Sequence, residues 1–140
     1  MVVFVYLRVS KILLWGLQKK MNFRNLNVWQ LSLQLIEQIY FLTVKFPHEE
    51  KYGLTSQIRR SSISIPSNIA EGSSRKSQKE FAHFLSIAIG SSFELETQLI
   101  IANKVKLIEQ SDFSTIAQML NQIQAMLHAY KKKIIQSTPC

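Results

Sequence analysis

Between residues 25 and 137, apolar side chains recur at steps of three and four in four long stretches, the period that an α-helix imposes on a half-buried surface. From Asn25 to Phe46, the positions Trp29, Leu33, Ile36, Ile39, Tyr40 and Val44 predict a first helix. It should stop at Phe46-Pro47, because the residue before a proline is pushed out of the helical region. The connector HEEKYG follows, with Gly53 free to turn, and Leu54, Ile58, Ile65 and Ile69 then share one face of a second helix closed by Gly72. Pro66 lies inside that helix, where it removes a backbone bond and crowds the carbonyl of Ser62, so a kink or local break is expected there. Ser77 and Glu80 have the spacing of a capping box, which starts a third helix near Gln78. Its seam is Phe81, Phe84, Leu85, Ala88, Ser92, Leu95, Leu99 and Ala102, and continued to Leu107 it would be ~45 Å long. Ser111-Asp112 predicts the N-cap of a fourth helix, whose stripe is Phe113, Ile116, Leu120, Ile123, Leu127, Tyr130 and Ile134.

No alternating strand pattern bounded by turn residues competes from residue 21 onward. Four amphipathic helices joined by short connectors bury their stripes most simply as an all-α, antiparallel up-down four-helix bundle. A length of 140 residues fits one such domain, residues 21–140, and 46% hydrophobic residues are enough to build its core. The only cysteine is Cys140, so an intrachain disulfide and a cysteine metal cluster are both excluded, and a reducing cytoplasm is the expected compartment.

Residues 1–20 read differently. Arg8 and Lys11 interrupt the apolar run well short of the ~20 residues of a membrane span, and the order of charge and apolarity is the reverse of a secretory signal. No membrane span is expected. The segment suits a helical or disordered N-terminal extension, either lying on an anionic surface or, since Met21 begins a conventional N-terminus, standing outside the native fold.

The formal charge of +8 favours polyanionic partners. Four of the basic residues, Arg8, Lys11, Lys19 and Lys20, fall in the extension, so the body is only mildly basic. Enzymatic chemistry has little to build on. His48, His83 and His128 have no partner at helical metal-site spacing, the close carboxylates Glu49-Glu50 and Glu94 with Glu96 point to different helix faces, and no phosphate loop or nucleophile elbow is present. The expectation is a non-enzyme with no cofactor and no metal site.

Three segments are more specific: NLNVWQLSLQL (25–35), FPHEEKYGLTSQIRRSSISIPSNIAEGSSRKS (46–77) and KEFAHFLSIAIGSSFELETQL (79–99). Together they resemble the four-helix bundle family first noticed in intervening sequences of bacterial 23S ribosomal RNA genes, whose relatives include the accessory variability proteins of diversity-generating retroelements. The resemblance covers about residues 22–135. It rests on Tyr52-Gly53-Leu54, Gln57, Arg59-Arg60, Ser64-Ile65, Asn68 through Gly72, Gly90-Ser91 and Glu94-Leu95-Glu96. It implies a homopentameric ring whose basic surface meets RNA or DNA, and a protein partner such as a reverse transcriptase.

Candidate nucleic-acid contacts are Arg59, Arg75, Lys76, Lys79, Lys131, Lys132 and Lys133. Arg75, Lys76 and Lys79 surround the start of the third helix, where free backbone donors and the helix dipole favour an anion. Binding would act through counterion release and be largely independent of sequence, because no exposed aromatic is evident for stacking. Candidate interface residues are Arg60, Asn68, Glu71, Gly90, Ser91 and Glu94. Gly90 costs ~1 kcal/mol relative to alanine in mid-helix, which predicts a tight crossing of the second and third helices, within a subunit or between subunits. Arg60 is a candidate for a forked pair with Glu94 or Glu71, from the same chain or a neighbour. The competing reading is an oligomeric protein-interaction scaffold with no direct role on nucleic acid.

Overall fold

A computed structural model describes residues 21–137. The extension and the last three residues, Cys140 among them, lie outside the described residues. The described chain contains four helices: α1 (Asn27–Thr43), α2 (Leu54–Ser73), α3 (Gln78–Lys104) and α4 (Gln110–Gln136). Short 3-10 turns at Phe23–Asn25 and His48–Glu50 precede α1 and α2, and no strand occurs among the described residues.

The contacts between helices establish the topology. Ser61 donates to Gln98 at 2.7 Å, Ser64 and Ser91 share a hydrogen bond of 2.9 Å, and Gly72 lies against Phe81, so α2 and α3 run in opposite directions. Gln124 donates to Glu96 at 2.9 Å while Phe81 packs edge-on to Tyr130 at 5.6 Å, which makes α3 and α4 antiparallel as well. The end of α1 meets the start of α2 through the Arg59–Thr43 bond of 2.8 Å, and its beginning meets the end of α4 where the Tyr130 hydroxyl donates to Met21 Sδ. Each helix packs on its two sequence neighbours around the ring, α4 on α1 included, and the backbones of the diagonal pairs α1/α3 and α2/α4 stay apart. The molecule is an antiparallel up-down bundle.

The core stripes of α2, α3 and α4 follow the sequence period closely. Ile58, Ile65, Ile69, Leu85, Ala88, Leu95, Leu99, Leu120, Ile123 and Leu127 are all essentially inaccessible, whereas Phe84 and Phe113 are half-buried. The stripe predicted for α1 is rotated by about one residue. The buried positions are Val28, Ser32, Leu35, Ile39, Leu42 and Thr43, and of the expected set only Ile39 is fully buried, while Leu33, Tyr40 and Val44 are exposed. Apolar residues line two faces of α1, and the inner face is partly disguised by polar members. Ser32 and Thr43 hide their hydroxyls by donating to the carbonyls of Val28 and Ile39, four residues back.

Helix ends also differ in detail from expectation. Pro66 is buried and α2 runs unbroken through it, because packing on the neighbouring helices offsets the single missing backbone bond. Gly72 is no helix stop. It lies inside α2, where a Cβ would come within 2.7 Å of both Phe81 and Phe84, so its role is to let α3 approach. α3 ends at Lys104, three residues before Leu107. Lys106 adopts φ 64° there, and bonds from Leu107 N–H to Ala102 O and from Lys106 N–H to Asn103 O close a Schellman motif with lysine where glycine is usual. Ser111 is not the N-cap of α4. Glu109 takes that position, with no side-chain cap bond. The Ser77–Glu80 capping box forms as expected.

Candidate nucleic-acid interface

In an up-down bundle with four helices, the start of α1, the α2–α3 loop and the end of α4 meet at one end. Met21 touches Tyr130, Tyr130 packs on Phe81, and the chain at 21–24 shares a cleft of about 330 Å³ with Ala70, Ser73 and Ser74. This gathers Arg24, Arg75, Lys76, Lys79, Lys131, Lys132 and Lys133 around one end, with Glu71 and Glu80 the only carboxylates among them. The opposite end combines Lys45, Lys51, Lys104 and Lys106 with Glu49, Glu50, Glu109 and Asp112. The positive charge of the described body is therefore concentrated at one end.

The seven cations differ in what holds them. Arg75 donates to Glu71 at 2.7 Å, one turn back, and lays its guanidinium over the Phe84 ring at 4.7 Å. This is the one ion pair among the described residues. It is solvent-exposed, so it fixes the arginine's direction more than it adds stability. Arg24 stacks on Phe23 at 4.6 Å, and its carbonyl accepts from the Gln30 amide at 2.8 Å. Lys76, Lys79, Lys132 and Lys133 are exposed with no carboxylate partner, and Lys131 is half-buried.

Helix electrostatics separate the two lysine groups. Lys131, Lys132 and Lys133 lie in the last turns of α4, where a cation complements the partial negative charge of the helix end. Lys76 and Lys79 flank the start of α3, where the same dipole opposes them. The anion site expected at this helix start is also partly filled by the chain itself: Ser77 Oγ accepts from the Glu80 N–H at 3.1 Å, and the Glu80 carboxylate accepts from the Ser77 N–H at 3.2 Å. The free backbone donors expected at this helix start are therefore partly used within the chain.

Tyr130, beneath this surface, has its phenol pushed up to about 12 by burial, so it stays neutral and serves as packing.

Arg59 stands apart from the basic end. Its Nε donates to Thr43 Oγ1 at 2.8 Å and its guanidinium covers the Tyr40 ring at 4.4 Å, so it clamps the last turn of α1 to the body of α2. Arg24 belongs to the cluster although its position in the sequence, outside any lysine run, does not mark it. Only the topology brings it there.

The interface candidates also separate. Ser61, Ser62, Ser91 and Ser92 are buried, and the Ser61–Gln98 and Ser64–Ser91 bonds join α2 to α3 there, so serines line this contact. Gly90 is not part of it: it is exposed, with nothing within 4 Å of a Cβ built on it. Asn68 turns back to donate to Ser64, at 2.8 Å to the carbonyl and 3.0 Å to the hydroxyl. Arg60 makes no ion pair with Glu94 or Glu71 of its own chain. Glu71 binds Arg75, and Glu94 accepts from the Gln98 amide at 3.1 Å.

Among the described residues no group of His, Cys, Asp and Glu is arranged to hold a metal ion. An eighteen-residue window of α3 has mean hydropathy 1.3, apolar enough for a membrane span by composition, and 44% of it is buried among the other helices.

No curated protein matches the chain. A solved structure of a protein of unknown function from the S23 ribosomal protein family of Bacteroides thetaiotaomicron VPI-5482 is similar, with a TM-score of 0.70 and 25% identity, covering 75% of this chain and 98% of that one. The family model described as 23S rRNA-intervening sequence protein matches residues 24–129, which take in all of α1 to α3 and most of α4. With its four-helix architecture and the order of its marked segments, the chain belongs to the 23S rRNA-intervening sequence protein family.

Proposed function

We propose that this chain is a non-catalytic, cytoplasmic, homo-oligomeric bundle protein that grips nucleic acid, RNA in the first instance, through its basic end. The observation that supports the reading is the convergence of seven cations against two carboxylates at one end, with Lys76 and Lys79 set against the helix dipole. A family named for the intervening sequence of 23S rRNA favours RNA as the polyanion. Five copies, the number that the resemblance suggests, would gather five such ends on one particle. Phosphates are the target in this reading, and sequence discrimination is weak.

A second reading, a scaffold that recruits another protein such as a reverse transcriptase, is favoured by the exposed Ile87, Phe93, Ile100 and Ile101 on α3.

Titrating mixed-sequence single-stranded RNA against the full chain at increasing salt separates the two readings. If four to seven phosphates are neutralised, the logarithm of affinity should fall against the logarithm of salt with a slope of about −3 to −5. Affinity absent at low salt, or indifferent to salt, discards the nucleic-acid reading in favour of the scaffold.

A further inference from the structure

The cleft between the 3-10 turn at Phe23–Asn25 and the end of α2 is the concave part of the basic end, and its two walls differ in hydrogen-bonding character. Its volume of about 330 Å³ lies at the small end of the roughly 300–1,000 Å³ typical of ligand clefts, room for one nucleotide unit and not for a duplex.

One wall donates. Arg24 lays its guanidinium over Phe23 at 4.6 Å and has no carboxylate partner among the described residues. Asn22 Oδ1 accepts from the Arg24 N–H at 3.2 Å, which leaves the N–H groups of that amide as donors. The backbone beneath them is held in place by the fold itself. The Arg24 carbonyl accepts from the Gln30 amide at 2.8 Å, Phe23 is braced edge-on by Trp29 at 5.2 Å, and the turn packs on both α1 and α2.

The other wall accepts. Ser73 Oγ donates to the Ala70 carbonyl at 2.7 Å, and Ser74 Oγ donates to the Glu71 carbonyl at 2.6 Å. A serine hydroxyl has a single proton, so with that proton turned back into α2 each oxygen has only lone pairs to offer a ligand. These residues also close α2, and a helix C-terminus carries partial negative charge. A phosphate is disfavoured at this wall, and a hydroxyl that donates is favoured. Glu71 is already bound to Arg75 at 2.7 Å, so it does not neutralise Arg24.

An anion site on one side and hydroxyl acceptors on the other, with Met21 and Ala70 supplying apolar surface between them, match a ribose phosphate. Inside a nucleic-acid chain the 3′ oxygen is esterified, so the 2′-hydroxyl is the one donor left on the sugar, and DNA lacks it. We infer that the cleft takes one unpaired ribonucleotide of an RNA chain, with its phosphate on Arg24 and its 2′-hydroxyl donating to Ser73 or Ser74. Surface cations alone do not distinguish RNA from DNA; this cleft does, while its apolar surface treats all four bases alike. The inference rests on the nucleic-acid reading proposed above and specifies the polymer and the place where its sugar is read.

The test compares the affinity of the full chain for mixed-sequence single strands of equal length, RNA, DNA and 2′-O-methyl RNA, at one salt concentration. RNA should bind about fivefold more tightly than either of the others, the worth of one hydrogen bond. The 2′-O-methyl strand keeps the ribose and loses the donor, so a tie between it and RNA overturns the inference. S73A/S74A should keep its helical circular dichroism and erase the preference, weakening RNA to the level of DNA and leaving DNA unchanged. A preference that survives in that variant also overturns the inference. Arg24→Gln should weaken all three strands alike and reduce the salt slope by about one. Adenosine 5′-monophosphate, the probe for a free nucleotide, should compete only at concentrations far above those of the RNA. Competition at the RNA's own affinity would make the cleft a mononucleotide site and overturn its assignment to a chain. Equal, salt-sensitive affinity for the three strands strikes this site while the nucleic-acid reading stands. Binding to none of them strikes both.

Discussion

Where α1 begins and α4 finishes, seven cations meet two carboxylates; where α1 finishes and α4 begins, four cations meet four. The ends also differ in what their charges do for the fold. At the balanced end, Glu50 accepts from the Leu54 N–H at 3.0 Å and so caps α2, Glu109 and Asp112 lie at the start of α4, and Lys104 closes α3, each on the side of the dipole that favours it. At the basic end, Lys76 and Lys79 oppose the dipole and bind no carboxylate. Charges that help a helix explain themselves. In the proposed reading, these two lysines serve a polyanion outside the chain.

The sharpest way to break this comparison is charge reversal at each end in turn. Reversing Lys76, Lys79, Lys132 and Lys133 to glutamate should lower RNA affinity by about 100-fold or more at moderate salt, because each lost phosphate contact also removes counterion release. Reversing Lys45, Lys51, Lys104 and Lys106 should change it only by the weaker long-range field, about threefold. Equal losses at the two ends would mean that net charge alone governs binding.

A smaller effect tests whether the α2–α3 loop is held in place by packing. Gly72→Ala forces a methyl to within 2.7 Å of Phe81 and Phe84 and should cost about 1–3 kcal/mol in urea unfolding. Gly90→Ala meets nothing within 4 Å and should add about 1 kcal/mol to the stability of the single chain.

The mildest expected effect concerns Tyr130. Its phenol is raised from 10.0 to about 12 by burial, so folded and unfolded chains hold the same proton below about pH 10. Above that the unfolded chain loses the proton first, and stability falls as the pH climbs toward 12. Tyr130→Phe should remove that part of the alkaline decline, visible as the difference between the two unfolding curves.

Much of this architecture is written in the period of the sequence. The stripes of α2, α3 and α4 are legible because their inner faces are apolar and most of their outer faces are not, and the capping box is legible because Ser77 and Glu80 are a local device. The rotation of α1 is not legible. Leu33, Tyr40 and Val44 form as good a stripe as Val28, Leu35 and Ile39, and the buried Ser32 and Thr43 look polar until their bonds to carbonyls four residues back are seen. The same ambiguity marks a helix with two apolar faces, one for the core and one exposed. Arg24 is illegible for another reason: no neighbour in sequence reveals that α4 ends beside it. Gly72 and Gly90 look alike as letters, yet one is pressed against two phenylalanines and the other faces open space.

An even number of antiparallel helices has a consequence for how the chain is handled by whatever surrounds it. Both Met21 and Ser137, the first and last described residues, lie at the cationic end, the proposed site of polyanion binding. A fused reporter or affinity handle at either terminus would crowd that grip. The connector from Val44 to Gly53, on the far side, is the attachment point that leaves it clear.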